Sequence, residues 1–551
     1  MYSIVMIFVL AVVVAILRII AGGGGTQSKW IWFAACCVFI SSFLMTFRLS
    51  AIPASFVDET NGLYDAYCLA HWGVTSNLIS HPIYLKSAWN QGQSVLYVTI
   101  AKNFVKLFGY HLWAFRLPLV LISIGSLLLM LYTCVHIKVS PMKTAMLSMV
   151  VSLSPWIIMT SRFAMDCNIS VFMTFIGVLL LINTLACTNQ GLKCIGLTAA
   201  FWFIGLTVYG YNVAWIFIPL FMVLVLITLL RWKKVRLREL IVPLTVMFFE
   251  VLPMIIFAVR SNIPKLNVTK KILFWTYPSV DIASRGQSSF VALGSHPLTA
   301  ILSNVWHAIS SLFITNSDTL PWNDIPGIGL YYWFALPFFV IGIIYLVRNR
   351  RYINDLILSG IVAMIPILML VTPAFNHYIF LHIMVLITAG FGVVECIGNG
   401  NKSVLQGVLF TYAFALLVFC GNYFSVGATA KLGYPTNTAN KLAKLHFNKY
   451  KNVYITPESN VPMIMIRDFY PISPYKYQAT KQVPNQATGV GNCYKNIRLI
   501  TSNETISTKK ALLITAEGQL PSSVKGMNQR QYHKLDDMSL NGNKISVYQI
   551  K

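Results

Sequence analysis

Long apolar runs separated by short polar segments dominate the first 420 residues. Runs of about 17 to 21 apolar residues match the hydrocarbon core of a bilayer, which is about 30 Å thick. Twelve such runs occur, near 3–20, 31–49, 117–136, 143–160, 169–187, 194–209, 213–230, 240–259, 329–347, 356–372, 378–397 and 403–420. With 56% hydrophobic and 11% charged residues, the chain cannot be a soluble globular protein. The pattern predicts a polytopic α-helical membrane protein of about twelve transmembrane helices.

The positive charges of the short loops predict the orientation, because loops rich in Lys and Arg stay cytoplasmic. If the twelve spans alternate, one side collects Arg18, Lys29, Lys138, Lys143, Lys193, Arg231, Lys233, Lys234, Arg236, Arg238, Arg348, Arg350, Arg351 and Lys402. Both termini and the segments 50–116, 161–168 and 260–328 then face outward. A signal peptide is the alternative for the first span, but Gly22 to Gly25 do not form a convincing cleavage site.

The composition changes after Cys420, where the long apolar runs end. Residues 425–551 carry 17 Lys and Arg against 6 Asp and Glu, which is +11 of the net charge of +25. A helix-like segment at 440–449 and strand-like segments at 452–455, 497–501, 511–515 and 545–550 predict a small α/β domain. We therefore predict a transmembrane domain at 1–424 and an extracytoplasmic domain at 425–551. Its charge favours anionic partners, either lipid headgroups or a surface polymer, and no basic motif indicates nucleic acid.

Acidic residues at the predicted outer ends of the spans are the candidates for chemistry. Asp58 and Glu59 open the large first outer loop, and Asp166 ends the Ser161-Arg-Phe-Ala-Met-Asp segment of the second. Carboxylates beside a bilayer are costly, so they favour a functional interpretation. The structural alternatives are a helix cap for Asp58 or Glu59 and an ion pair between Arg162 and Asp166.

These motifs, in this order and on this side of the membrane, resemble those of the GT-C glycosyltransferases. The Asp-Glu pair, the Arg116-Leu-Pro segment before the next span and the Ser-Arg-x-x-x-Asp segment carry the resemblance. It covers about residues 31–420 and is strongest at 56–166. The branch that looks most similar comprises protein O-mannosyltransferases, aminoarabinose transferases and their bacterial relatives. An additional first span and an unmatched C-terminal domain depart from that pattern.

The resemblance implies an inverting transfer of a sugar from a polyprenyl-phosphate-linked donor to a cell-surface acceptor. Asp58 matches the acid that serves as general base in the family, and Glu59 and Asp166 would position the acceptor or the base. A positioned carboxylate is needed because a hydroxyl loses its proton only as the new bond forms. The branch implies no metal or other cofactor in the chemical step, although a divalent ion stays open as an alternative.

Other residues of the outer segments are candidates for binding the donor and the acceptor. Lys86 is the first choice for the donor phosphate, followed by Arg285 and Arg162, because Lys and Arg bind phosphate. The sugar or acceptor pocket is predicted to include Tyr64, Tyr84, Trp89, Gln93, Tyr209, Tyr211, Asn212 and His377. Interfacial anchoring is the alternative for these cations and aromatic residues.

Two other functional classes compete with the transferase. A transporter or lipid-linked sugar flippase would also have twelve helices, but its acids would lie within the spans, whereas these lie in outer loops. A non-catalytic scaffold would explain the basic domain but not the acidic loop. We therefore predict a hexosyl- or pentosyltransferase of a cell membrane, of bacterial plasma membrane type, whose sugar and acceptor the sequence does not identify.

Overall fold

The computed structural model describes most of the membrane region and a smaller share of the C-terminal region. It describes residues 1–22, 28–53, 55–86, 92–281, 289–318, 323, 325, 327–398, 401–425, 445–456, 472–479, 482–485, 489–492, 496–500, 506, 510–528, 530–540 and 543–551. Two of the predicted site residues, Trp89 and Arg285, lie outside these ranges.

The membrane region is almost entirely helical over the described residues. Its helices are α1 (Tyr2–Gly22), α2 (Ser28–Thr46), α3 (Val57–Trp72), α4 (Leu96–Phe108), α5 (Leu112–His136), α6 (Pro141–Ser152), α7 (Pro155–Arg162), α8 (Asp166–Leu185), α9 (Gln190–Leu206), α10 (Ala214–Arg231), α11 (Leu237–Asn262), α12 (Pro297–Ile309), α13 (Ala335–Arg348), α14 (Tyr352–Leu370), α15 (Ile379–Ile397) and α16 (Lys402–Tyr423).

Eleven helices of the described residues are long and apolar enough to cross a bilayer, or twelve if α6 and α7 form one span. The eleven include α12 with the turn that follows it, but not α13, which has 14 residues and matches the predicted span near 329–347. Helices α6 and α7 are bent by 52° relative to each other. Pro155 begins α7, and the Ser154 side chain accepts a hydrogen bond from the Ile157 amide at 3.3 Å. A proline and a side-chain cap both favour a new helix start. The prediction of about twelve transmembrane helices is confirmed.

The apolar helix α12, followed by a π-helical turn at Ser310–Ile314, was not among the predicted spans. The Asn304 amide in its middle donates to the carbonyls of Leu368 and Val371 at the end of α14. Near its own end, Phe313 stacks on Tyr331 before α13 begins. The helix therefore contacts one end of the bundle at both places, within the segment 260–328 that we predicted to be a loop.

The helix directions define two ends of the bundle. We call the end at which α5, α8 and α15 begin the acidic end, because Glu59 and Asp166 lie there. The same helices finish at the opposite end, where α5 is followed by α6 and where α14 begins.

The C-terminal region contains a five-stranded sheet. Its strands are β3 (Asn452–Ile455), β6 (Ile497–Leu499), β7 (Ala511–Ala516), β8 (Tyr532–Leu540) and β9 (Asn543–Ile550), in the order β6-β3-β7-β9-β8. Strand β3 pairs in parallel with β6 and β7, and β9 pairs antiparallel with β7 and β8. Two hairpins lie apart from it, formed by β1 (Lys270–Ile272) with β2 (Trp275–Tyr277) and β4 (Gln482–Asn485) with β5 (Gly489–Asn492).

The sheet confirms the predicted small α/β domain and its four predicted strands. Strand β8 was not predicted, because its Tyr-His-Lys-Leu-Asp-Asp sequence is polar, as is common at a sheet edge. The predicted helix at 440–449 lies partly outside the described residues, and its described part holds only the 3₁₀ turn Phe447–Lys449.

Candidate functional site

A buried ion pair organises the acidic end. The Arg116 guanidinium donates from Nη2 to Glu59 Oε2 at 2.6 Å and from Nε to Oε1 at 2.8 Å, and both side chains are fully buried. Glu59 Oε1 also accepts the Ala164 amide at 2.8 Å, and Arg116 Nη1 donates to the carbonyls of Leu49 and Pro53. The pair thus connects α3, α5, the turn before α3 and the segment before α8.

The two adjacent acids of α3 are in different environments. Successive residues of an α-helix are about 100° apart around its axis, so Asp58 and Glu59 point in different directions. Glu59 faces Arg116, while Asp58 is only partly buried. The N-cap residue is Phe56, so neither acid occupies the cap position. Of the two acids, Asp58 is therefore the one whose side chain is not fully buried.

A hydrogen bond connects the Asp58 face of α3 to the Lys86 segment. Asn61 lies three residues after Asp58 on the same helix face, and its side-chain amide donates to Gln93 Oε1 at 3.3 Å. Gln93 and Leu85 exchange backbone hydrogen bonds of 2.9 and 2.8 Å. Lys86, which is partly exposed, directly follows Leu85. Through Asn61 and Gln93, the structure thus links the helix that carries Asp58 to the backbone segment that carries Lys86.

Asp166 is connected to the same segment through backbone amides. Its Oδ2 accepts the Ser94 amide at 3.0 Å, and its Oδ1 accepts the Cys167 amide at 2.9 Å in the first turn of α8. The side chain is 7% exposed. Ser94 follows Gln93, so Asp166 holds the segment that meets Asn61. This geometry favours the positioning role predicted for Asp166.

Arg162 does not form the ion pair with Asp166 considered from the sequence, since no ion pair between described residues joins them. Its guanidinium is fully buried and donates to the carbonyls of Leu44, Met45 and Ile52. The Phe424 ring lies 5.0 Å from it. These contacts favour a structural role over the predicted binding of phosphate.

The segment before Lys86 is held from a second side by the hairpin of β1 and β2. Ile83 donates its amide to the Thr276 carbonyl at 3.0 Å, and the Thr276 amide donates to the His81 carbonyl at 2.9 Å. Tyr84 is buried and stacks on Phe257 of α11, with ring centroids 4.6 Å apart. Lys86 is thus attached to a backbone that is fixed on both sides.

An apolar groove between α10 and α11 leads to this segment. The α10–α11 groove has a volume of about 1030 Å³ and is lined by Val208, Trp215, Ile218, Pro219, Met222, Leu244, Met247, Phe248, Val251, Met254, Ile255, Ala258 and Val259. From Leu244 to Val259 it follows α11 for about 22 Å. At its acidic end, Trp215 contacts Tyr84, with ring centroids 6.1 Å apart.

The remaining predicted pocket residues are dispersed. Tyr64 is fully buried, and its hydroxyl donates to the Ile472 carbonyl at 3.2 Å. The Tyr209 hydroxyl donates to the Glu250 carbonyl. Tyr211 is buried and Asn212 is partly buried between α9 and α10. The predicted role of these four residues in the pocket stays a prediction.

His377 lies beside a second polar cluster. Its Nδ1 is 2.7 Å from the Thr372 carbonyl oxygen. Nearby, Asp318 Oδ2 accepts the Phe375 amide at 2.8 Å and the Asn323 side-chain amide at 2.6 Å. A small cavity is lined by Asn323, Asn376 and Asn168 among other residues. The loop around Asp318 therefore lies at the acidic end, close to the start of α8.

The C-terminal region also contacts α3. The Gln478 side-chain amide donates to the Ser76 carbonyl at 2.7 Å, and Tyr477 packs edge-on against Tyr64, with centroids 6.1 Å apart. Tyr64, Cys68, Ile472 and Tyr477 form a small buried apolar cluster. The region after α16 thus supports the helix whose first turn carries Asp58.

Three important residues were not assigned these roles from the sequence. Arg116 was not identified as the partner of Glu59, while Asn61 and Ser94 were not singled out. The helical spacing of Asp58 and Asn61 was a usable signal, because residues three apart share a face. The partners of Glu59 and Asp166 are distant in the chain, and no local pattern identifies them.

The described residues contain no group of three or more His, Cys, Asp or Glu side chains placed to hold a metal ion. Glu59 is already bound by Arg116 and by the Ala164 amide. The absence of a metal in the chemical step stays a prediction.

Comparison with solved structures identifies the architecture. No family model and no curated protein matches the sequence. ArnT from Cupriavidus metallidurans bound to undecaprenyl phosphate matches with a TM-score of 0.53 and 10% identity, over 95% of this chain and 98% of that chain. Its apo state matches with a TM-score of 0.54 and 10% identity, over 94% and 97%.

An oligosaccharyltransferase from Archaeoglobus fulgidus is less similar, with a TM-score of 0.47 and 11% identity over 81% of this chain and 63% of that chain. ArnT is a GT-C glycosyltransferase, and its match spans nearly the full length of both chains. The resemblance predicted from the sequence is therefore confirmed as a shared architecture: this chain is a polytopic membrane protein with the GT-C fold.

Proposed function

We propose that this protein is an inverting glycosyltransferase that uses a polyprenyl-phosphate-linked sugar as donor. The observation that carries the proposal is the Asn61–Gln93 hydrogen bond, because it joins the accessible carboxylate Asp58 to the segment that bears Lys86. The proposed base, Asp58, and the proposed phosphate-binding cation, Lys86, thereby belong to two segments that are hydrogen-bonded to each other. The test is the loss of sugar transfer in Asp58→Asn, described in the Discussion.

In the proposed step, the acceptor hydroxyl oxygen attacks the anomeric carbon of the donor. The Asp58 carboxylate takes the hydroxyl proton as the new carbon–oxygen bond forms. The bond between the anomeric carbon and the phosphate oxygen breaks, and the electron pair leaves with polyprenyl phosphate. A single displacement of this kind inverts the anomeric configuration and requires one base. Lys86 stabilises the negative charge that grows on the leaving phosphate.

Two features support a lipid-linked donor. ArnT was solved with undecaprenyl phosphate, and the α10–α11 groove offers an apolar path of about 22 Å that ends near Lys86. A polyprenyl chain in this groove would leave its phosphate at Lys86, at the acidic end. Arg285, which lies outside the described residues, stays a second candidate for this phosphate. The donor sugar is a hexose or a pentose.

The acceptor in our proposal is a glycopolymer, lipid or protein at the cell surface. The charge of +11 in residues 425–551 favours an anionic acceptor or anionic lipid headgroups. The loop charges support an outward orientation of the acidic end and of the C-terminal region. The protein would then act from a bacterial plasma membrane without a metal in the chemical step.

We expect Lys86→Met to weaken donor binding by about 10- to 100-fold. Hydrogen bonds to charged groups contribute about 1.5–3 kcal/mol, and methionine keeps most of the stem without the charge. Equilibrium binding of the purified variant to the lipid-linked donor measures this effect. Lys102→Met is the matched control, since Lys102 is also partly exposed and lies in the same outer segment. Equal donor affinity of both variants and the wild type would assign Lys86 to interfacial anchoring.

We expect Ala258→Trp to weaken binding of long-chain donors by about thirtyfold. The indole would displace about three methylene-sized groups of the chain, which corresponds to about 2 kcal/mol. Donors with a short prenyl chain should bind almost as well as they bind the wild type. The control Val242→Trp places the same side chain on an exposed position of α11 outside the groove. The same loss for short and long donors would show that the chain does not use this groove.

A further inference from the structure

A second large cavity opens at the end of the bundle opposite to the acidic end. It lies between α5, α6, α8, α14 and α15. Its walls are mostly apolar and include Leu147, Val178, Leu179 and Met384. None of the residues assigned above to the transferase site lines it, so it requires a separate explanation.

The mouth of this cavity carries three cations. Lys138 lies in the turn between α5 and α6, Lys143 lies in the first turn of α6, and Arg351 immediately precedes α14. None of the ion pairs between described residues includes any of the three. Asp355 is the acid nearest to Arg351 along the chain, and it is bound by Arg350 at 2.7 Å and by the Trp232 indole at 2.8 Å. The mouth is therefore positively charged and not neutralised.

The depth of the cavity matches one leaflet of a bilayer. Along α8 its lining extends from Ile182 to Val171, a helical rise of about 16 Å. Half of a hydrocarbon core of about 30 Å is about 15 Å. The cavity ends before Asn168, which lines the small cavity at the acidic end. A ligand whose headgroup lies among the cations therefore needs an apolar chain that is about as long as one leaflet is thick.

We propose that this cavity binds an anionic phospholipid. The phosphate-bearing headgroup lies among Lys138, Lys143 and Arg351, and one acyl chain fills the apolar part of the cavity between α8 and α15. Charge complementarity selects an anionic headgroup over a zwitterionic one, since each Lys or Arg near a membrane surface favours anionic lipid. By the loop charges this is the cytoplasmic leaflet. The site does not depend on the proposed transferase reaction.

Binding of defined lipids to the purified full-length protein tests the proposal. Native mass spectrometry after delipidation compares phosphatidylglycerol with phosphatidylcholine of the same acyl chains. We expect at least a tenfold preference of the wild type for phosphatidylglycerol. The triple variant Lys138→Gln, Lys143→Gln, Arg351→Gln should lose this preference. Inorganic phosphate and glycerol 3-phosphate, added at millimolar concentration, should not displace the lipid, because they lack an acyl chain.

Two controls separate this site from general effects of charge and folding. The triple variant Arg231→Gln, Lys233→Gln, Arg238→Gln removes the same charge from exposed positions at the end of α10, in the following loop and in the first turn of α11, and it should keep the preference. Val178→Trp fills the apolar part of the cavity and should lower the binding of both lipids. Ile176 lies on the same helix but does not line the cavity, so Ile176→Trp should leave the binding of both lipids unchanged. Three results would each overturn the proposal. They are equal binding of the two lipids by the wild type, an unchanged preference in the triple variant Lys138→Gln, Lys143→Gln, Arg351→Gln, and displacement of the lipid by free phosphate.

Discussion

Replacing Asp58 by Asn is expected to lower the turnover number by about 10² to 10⁴, the usual contribution of a general base. Asparagine keeps the shape of the side chain but does not accept the proton of the acceptor hydroxyl. Donor binding and folding should change little, since Glu59 rather than Asp58 forms the buried pair with Arg116. The measurement is turnover at saturating donor, together with a separate assay for donor binding.

Asp281→Asn provides the matched control for Asp58→Asn. It makes the same chemical change at an exposed position of the outer segment 260–328 and should leave turnover at the wild-type value. Asp166→Asn should have an intermediate effect, because its side chain holds the Ser94 amide next to Gln93. Near-normal turnover in Asp58→Asn would move the base to another residue.

Breaking the pair of Glu59 and Arg116 is expected to have the largest effect on stability. Removing one partner of a buried ion pair costs about 3–5 kcal/mol, because the other charge stays buried and uncompensated. Glu59→Gln and Arg116→Gln should each lower the unfolding temperature in detergent, and the double variant should lose less than the sum of both. The coupling follows from their direct contact.

The exposed pair of Lys534 and Asp537 provides the comparison. Its side chains are 42% and 52% exposed, so Lys534→Gln should leave the unfolding temperature nearly unchanged. The result also distinguishes Glu59 from Asp58. A Glu59→Gln variant that is as stable as the wild type but inactive would contradict a structural role and make Glu59 the candidate base.

The membrane helices could be predicted because a bilayer requires about 20 apolar residues in a row. Helix α12 shows where this argument ends, since it is apolar but contacts one end of the bundle through Asn304 and Phe313. Strand β8 shows the opposite case, where a polar sequence is held by pairing with β9. In both, tertiary contacts rather than local composition determine the role of the segment.

The candidate acids could be named from the sequence, but the different environments of Asp58 and Glu59 could not be predicted from it. Asp58 and Glu59 are neighbours in the chain, and only the position of Arg116, 57 residues later, separates them. Lys86 and Gln93 were predicted independently, and the backbone pairing of Leu85 with Gln93 brings them together. Arg162 shows that a cation in an expected motif can instead be bound by carbonyl oxygens.

The most direct test of the central claim is sugar transfer by the purified protein in vesicles. A panel of radiolabelled polyprenyl-phosphate sugars is incubated with cell-envelope acceptor, and the anomeric configuration of the product is determined by NMR. We predict that the wild type transfers label from one donor with inversion, while Asp58→Asn transfers almost none. Transfer with retention would contradict the single displacement. If the wild type and Asp58→Asn instead moved intact labelled donor across the membrane at equal rates and transferred no sugar, the protein would be a flippase.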